Sequence, residues 1–213
     1  MTILQRETPA NNAGRLGCLL AGLLLSVACL AAETNAGSDK LPSFERVRAL
    51  SGARSISDPL LTDHRGQPFR LSSLRGRVTL VFFGFTHCPD VCPLAMEKMR
   101  ILVESGRLAA EDMAYVLISV DGARDTPAVL REYLKGYSPE FIGLTAAPGI
   151  VQNLASDFSV KFFRENPDAA GNYQVAHSPQ TFVLDTQGRL RAELYSASLD
   201  AMAGISQALL EQR

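Results

Sequence analysis

Hydrophobic positions fall into three patterns along the chain. The first is an uncharged apolar block, Leu16 to Ala32, in which apolar residues run all round with no helical face. The second is a pair of continuous apolar, β-branched and aromatic runs, VTLVFFGF at 78–85 and MAYVLISV at 113–120, short enough to be buried strands. The third is helical spacing. It runs through Leu94, Met96, Met99, Ile101 and Leu102 within 93–105, and recurs in DTPAVLREYLKGY, PGIVQNLASDF and the C-terminal LDAMAGISQALLEQR. Thr126 is a natural N-cap and Pro127 a natural first helical residue. Turn signals mark two hairpins: His64-Arg65-Gly66, and Thr186-Gln187-Gly188 between the strands QTFVLD and RLRAELY.

The predicted order is β-α-β-α, then a hairpin and a last helix. It implies an α/β fold with a mixed central β-sheet flanked by helices on both faces, which is the thioredoxin-like arrangement. A chain of 213 residues with 46% apolar and 20% charged residues has room for one such domain and a leader. Lys and Arg number 21 against 22 Asp and Glu, so nothing electrostatic points to a nucleic-acid partner.

The apolar block is preceded by Arg6 and Arg15 and followed by the small, polar ETNAGSDKLPS, the order of an export signal. Three outcomes are open: signal-peptide cleavage near the alanines at 28–32, a lipoprotein signal with lipid at Cys29 of LSVAC, or retention as a membrane anchor. All three predict residues 40–213 outside the cytoplasm, in the periplasm or on the periplasmic side of the bacterial inner membrane. The expected organisation is a leader at 1–32, a linker at 33–44 and a domain at 45–213. Cys18 and Cys29 fall in the leader, which leaves the domain two cysteines, Cys88 and Cys92.

Those two sit between a predicted strand and a predicted helix, where α/β folds place their sites. Pro93 suits the first position of the helix, which makes Cys92 the cap. The positive field of the helix N-terminus is then expected to lower its pKa. Three residues, Pro89, Asp90 and Val91, separate the thiols, against two in the usual oxidoreductase motif. The pair could form a structural disulfide, run redox chemistry or hold a metal. A staple closing so small a loop gains little chain entropy. Two thiolates suit Cu(I), and a nitrogen ligand would admit Cu(II). Of the three histidines, His64 is expected in a solvated turn and His87 on the rim of the site. His177 directly precedes a strand whose leading loop faces the cysteine loop in a thioredoxin-like fold, which makes it the candidate third ligand. Met96 and Met99 read as core. Asp121 and Arg124 read as loop and helix-start residues.

FGFTHCPDVCP, SVDGARDTP and HSPQTFVLDTQGRL, in that order, resemble the SCO/SenC family of copper proteins, from about Pro59 to the C terminus. The resemblance implies a thioredoxin-like fold, a membrane tether facing the periplasm or intermembrane space, and copper bound by Cys88, Cys92 and His177. It also implies a role in delivering copper to, or maintaining the thiols of, the dinuclear copper site in subunit II of cytochrome c oxidase. The implied partners are that subunit or another copper protein, other copper chaperones, or a thiol reductant. Ala176 stands where many members carry an acidic residue, and Gly122 and Ala123 replace a proline and a charged residue. Pro179 matches the place of the thioredoxin cis-proline. The alternative function is that of a thiol–disulfide oxidoreductase with Cys88 and Cys92 as its redox-active disulfide, one attacking and the other resolving. A peroxidase is disfavoured, since no peroxidatic threonine-plus-cysteine pattern is evident.

Overall fold

In the computed structural model, residues 41–213 are described; the leader with Cys18 and Cys29, and residues 33–40 of the expected linker, lie outside them. At the end of that linker Leu41 is already buried and Phe44 packs on the core. The elements that follow are β1 (Val47–Arg54), β2 (Leu61–Asp63), β3 (Pro68–Phe69), β4 (Val78–Gly84), α1 (Val91–Glu104), β5 (Met113–Ser119), α2 (Pro127–Leu134) and β6 (Phe141–Thr145). Then come α3 (Pro148–Asp157), β7 (Phe162–Arg164), β8 (Val175–His177), β9 (Thr181–Leu184), β10 (Leu190–Leu194) and α4 (Leu199–Leu210).

Eight strands form one mixed sheet in the order β1-β10-β9-β4-β5-β6-β2-β3, and β7 and β8 form a separate ribbon. β4, β5 and β6 run parallel, while β9 lies antiparallel to β4 on its other side. All seven residues of β4 and all seven of β5 are buried. Successive side chains of a strand point to opposite faces, so both faces of the sheet are covered. Phe82 and Gly84 face α1, where Cys92 packs over Gly84. Phe83, on the other face, meets Phe158 at the end of α3 and Phe182 of β9, at ring separations of 5.1 and 6.0 Å. The mixed sheet with helices on both faces is thus the architecture the apolar runs predict.

Several local expectations hold for the reasons given. Thr126 accepts a hydrogen bond from Val129 N at 3.3 Å, with Pro127 opening α2. Both predicted hairpins form, and in each an aspartate carboxylate holds the turn. Asp63 accepts from Arg65 N and Gln67 N, and Asp185 from Gln187 N and Arg189 N. Met96 and Met99 are core residues. Leu94 and Ile101 are not: both are exposed, and the buried stripe of α1 is Cys92, Met96, Met99 and Leu102. His64 also differs from expectation. It is half-buried and its Nδ1 accepts from Gly143 N at 3.2 Å, which ties the β2–β3 turn to β6. Burial lowers its pKa.

The sheet brings three segments to one end. The end of β4 lies beside the start of β9, with Phe82 opposite Thr181, and beside the end of β5, with Gly84 opposite Ser119. Val120 N donates to Gly84 O at 2.9 Å, so the chain leaving β5 stays close to the chain leaving β4. The cysteine loop, the turn after β5 and the segment joining β8 to β9 therefore converge.

Candidate metal centre

Helix α1 begins at Val91, two residues earlier than the prolines suggest, with Asp90 as N-cap. Pro93 is then the third helical residue. Its missing N–H would have had no intrahelical partner, and the carbonyl its ring would crowd belongs to Pro89, outside the helix. Cys92 is consequently a buried residue of the first turn rather than the cap. Cys88 is half-buried in the loop, where its N–H donates to Phe85 O at 3.3 Å. Both cysteines are free thiols.

His177 ends β8 and reaches back to the thiols. Its Nε2 lies 3.3 Å from Cys92 Sγ, and its Nδ1 lies 3.1 Å from Ser178 O. A carbonyl oxygen can only accept, so Nδ1 carries the proton in that bond and Nε2 presents its lone pair. The ring stands edge-on to Phe82 and Phe85, with centroids 5.8 and 5.7 Å away. Together Cys88, Cys92 and His177 place two sulfurs and a nitrogen within 4.8 Å of one another. Among the described residues no other group of three His, Cys, Asp or Glu side chains converges in this way. Such a set, soft and partly nitrogenous, suits a thiophilic ion.

Electrostatics favour the neutral forms of Cys92 and His177. Burial lowers the pKa of His177, against a smaller opposing effect of the bond to Ser178. The imidazole is thus neutral near pH 7. Burial pushes the Cys92 thiol up, not down as the helix field alone would have it. The sulfur lies among apolar groups, and the cost of desolvating a thiolate there exceeds the attraction of the helix N-terminus. Gly84 shows how tightly it is enclosed: a Cβ at that position would stand 2.8 Å from Cys92 Sγ and 2.7 Å from Phe82 Cε1. A bound cation supplies the charge that stabilises the thiolate in such a place.

The other candidates lie around this centre. His87 is exposed, with Nδ1 3.0 Å from Thr86 Oγ1, and stays on the rim outside the three-donor cluster. Ala176 pairs with Phe163 across the ribbon and brings no carboxylate to His177. Pro179, with Val91, Leu94 and Ala95, lines a cleft of about 130 Å³ beside the first turn of α1. The apolar walls Phe82 and Phe85 and the carbonyl of Ser178 escaped the sequence reading. Aromatic residues in a buried run look like plain core until the fold places the imidazole between them.

A family model for SCO1/SenC matches residues 49–209. A SCO2-like protein of Rickettsia prowazekii is 34% identical over 179 residues, covering 83% of this chain and 87% of its own. Among solved structures, apo Sco1 of Thermus thermophilus is 32% identical with a TM-score of 0.69, over 82% of this chain and 99% of that one. Copper-bound ScoI of Bradyrhizobium japonicum is 30% identical with a TM-score of 0.66, over 72% of this chain and 99% of that one. The matched span runs from within β1 to the last turn of α4 and takes in both thiols and the histidine, and this chain belongs to the SCO1/SenC family.

Proposed function

We propose that this protein handles copper in the assembly of cytochrome c oxidase, carrying the ion between the thiolates of Cys88 and Cys92 and the Nε2 of His177. The observation that carries the reading is the convergence of two sulfurs and an imidazole nitrogen whose lone pair is turned toward the Cys92 sulfur, all within 4.8 Å. Sulfur selects Cu(I), and imidazole extends the site to Cu(II). Copper is cargo here. Cysteines of the acceptor displace the ligands one at a time, and the half-buried Cys88 is the accessible point for the first exchange. The acceptor in this reading is the copper site of oxidase subunit II, reached from the periplasmic side of the membrane to which the N-terminal segment tethers the domain. The copper-bound ScoI structure supports the cargo, and the export-like leader supports the location.

A second reading has its own observation. One thiol is accessible and the other buried, the division of labour of a thiol–disulfide oxidoreductase. The Cys88 thiolate would attack a partner disulfide and release one partner thiolate. Cys92, losing its proton, would then attack the Cys88 sulfur and release the second. The partner gains two electrons, and Cys88 and Cys92 leave as a disulfide.

Titrating reduced protein with copper against a competing chelator, wild type beside His177→Ala, tests the copper reading. Near-stoichiometric uptake is expected, with thiolate-to-Cu(II) charge-transfer absorption in the Cu(II) form. His177→Ala should weaken Cu(II) by about tenfold or more, ~1.4 kcal/mol, and Cu(I) by less. Absence of uptake by the reduced wild type would refute the reading.

The same titration should depend on pH. Because burial pushes the Cys92 thiol up, it is neutral at pH 7 and must release its proton to solvent as the metal binds. Apparent Cu(I) affinity should therefore rise with pH, about tenfold per unit for the Cys92 proton alone. It should weaken correspondingly in acid. Chelator competition from about pH 6 to 8 reads the slope, and a flat profile would mean that Cys92 binds copper without losing a proton.

A further inference from the structure

Among the described hydrogen bonds and ion pairs, the turn after β5 has none to either thiol or to the His177 imidazole, yet it holds both segments that carry them. Asp125 is fully buried. Its Oδ1 accepts from Thr86 Oγ1 at 2.6 Å, and its Oδ2 accepts from Thr86 N at 3.0 Å and from Ser119 Oγ at 2.7 Å. Thr86 opens the loop to Cys88, so the carboxylate fastens the cysteine loop to the end of β5. A buried carboxylate with three donors is a rigid anchor.

The same turn grips the ribbon that ends in His177. Tyr173 lies just before β8. Its hydroxyl donates to Asp121 Oδ1 at 2.9 Å, and its carbonyl accepts from Arg124 Nη1 at 3.0 Å. Arg124 pairs with Asp121 through Nε. The guanidinium carbons of Arg124 and Arg164 lie 3.6 and 3.7 Å from the Tyr173 ring centroid, too close for both to share one face. The ring is therefore sandwiched between β7 and the turn. Among the described residues the ribbon has no strand pairing to the main sheet. The Lys161–Ser178 hydrogen bonds close the ribbon's own base, Val175 and Phe162 pack it on the core, and among the described hydrogen bonds this clasp and the His177–Cys92 contact join it to the rest of the domain.

We propose that the turn Asp121–Asp125 sets the distance between His177 and the two thiols, with Asp125 positioning the cysteine loop and the Asp121–Arg124–Tyr173 clasp positioning the histidine ribbon. The consequence for copper rests on the copper reading above; the positioning itself does not. Loosening the clasp frees the imidazole and leaves the dithiolate in place. It therefore acts on Cu(II), which needs the nitrogen, more than on Cu(I), which the sulfurs hold.

Arg124→Ala and the milder Tyr173→Phe test this. The second keeps the ring stack and removes only the hydroxyl bond, so it remains informative if the first fails to fold. Without copper, backbone amides of 162–164 and 175–177 should exchange with deuterium about tenfold faster or more in Arg124→Ala, with those of β4 unchanged. With copper, Arg124→Ala should lower Cu(II) affinity about tenfold and weaken the nitrogen hyperfine signal, while Cu(I) retention changes less than about twofold. In a His177→Ala background the same change should add nothing further. Unchanged ribbon exchange in both variants would overturn the positioning role whatever copper does. Fully additive losses with His177→Ala would place Arg124 in the general stability of the domain instead. Wild-type protein that takes up no copper would sink only the copper reading, and the exchange result would still decide the clasp.

Discussion

Cys92→Ser is expected to cost the protein most of its Cu(I) affinity without unfolding it. Serine fits the volume of cysteine, and at this buried position its hydroxyl has a ready acceptor in His177 Nε2, which lies 3.3 Å from the present sulfur. What it lacks is softness and the ability to ionise. If a site of three or four protein ligands is worth about 10–16 kcal/mol, one thiolate accounts for roughly 3–4 kcal/mol, or about 10²–10³ in affinity. Chelator competition with reduced protein measures the loss directly. The same variant separates the two functional readings. If Cys88 attacks disulfides, Cys92→Ser leaves it without a resolving thiol, and a mixed disulfide with an oxidised two-cysteine peptide should accumulate and be visible by mass. Cys88→Ser should lose copper to a similar degree and form no adduct at all. Wild-type Cu(I) retention in Cys92→Ser would remove Cys92 from the site.

How far residues reveal such a site depends on how local its causes are. The strands β4 and β5 are visible as apolar runs because both of their faces are buried. The cap at Thr126 and the Asp185 turn depend on a few adjacent residues. Cys88, Cys92 and His177 are legible as a set once the order of elements implies which loops meet. Edge strand β1 is harder to see, since its half-exposed pattern follows its partner β10 and breaks register between Ala49 and Arg54. The ribbon β7–β8 is invisible for a similar reason: its three-residue strands hold no continuous apolar face. The start of α1 is hard to place because two prolines give conflicting signals, and only the fold shows that the third helical position tolerates one of them. The acidity of Cys92 runs against the helix field for a deeper reason. A helix terminus is a sequence-level feature, whereas the desolvation that outweighs it comes from Phe82 and Gly84 packed around the sulfur. Asp125 stands directly before a cap and looks like part of a helix start; its partner Thr86 is 39 residues away.

Phe82→Ala should show that core and site are one structure at this point. Phe82 is wholly buried in β4, faces α1, and puts its ring edge-on to His177. Truncating a buried phenylalanine removes apolar contact and leaves a cavity, at a cost of about 3–5 kcal/mol. A domain stable by about 5–15 kcal/mol survives that, though with a much lower urea midpoint. The cavity opens next to the imidazole, which then keeps Phe85 as its one aromatic wall among the described contacts. The ring gains freedom and water gains access, so Cu(II), which depends on the nitrogen, should weaken more than Cu(I). Phe83→Ala offers the control. It removes the same side chain from the opposite face, where Phe158 and Phe182 surround it, and should cost comparable stability with little change in the ratio of Cu(II) to Cu(I) affinity. Equal ratios in the two variants would mean that Phe82 supports the sheet alone, and that the edge-on wall contributes nothing to holding the histidine toward the thiols.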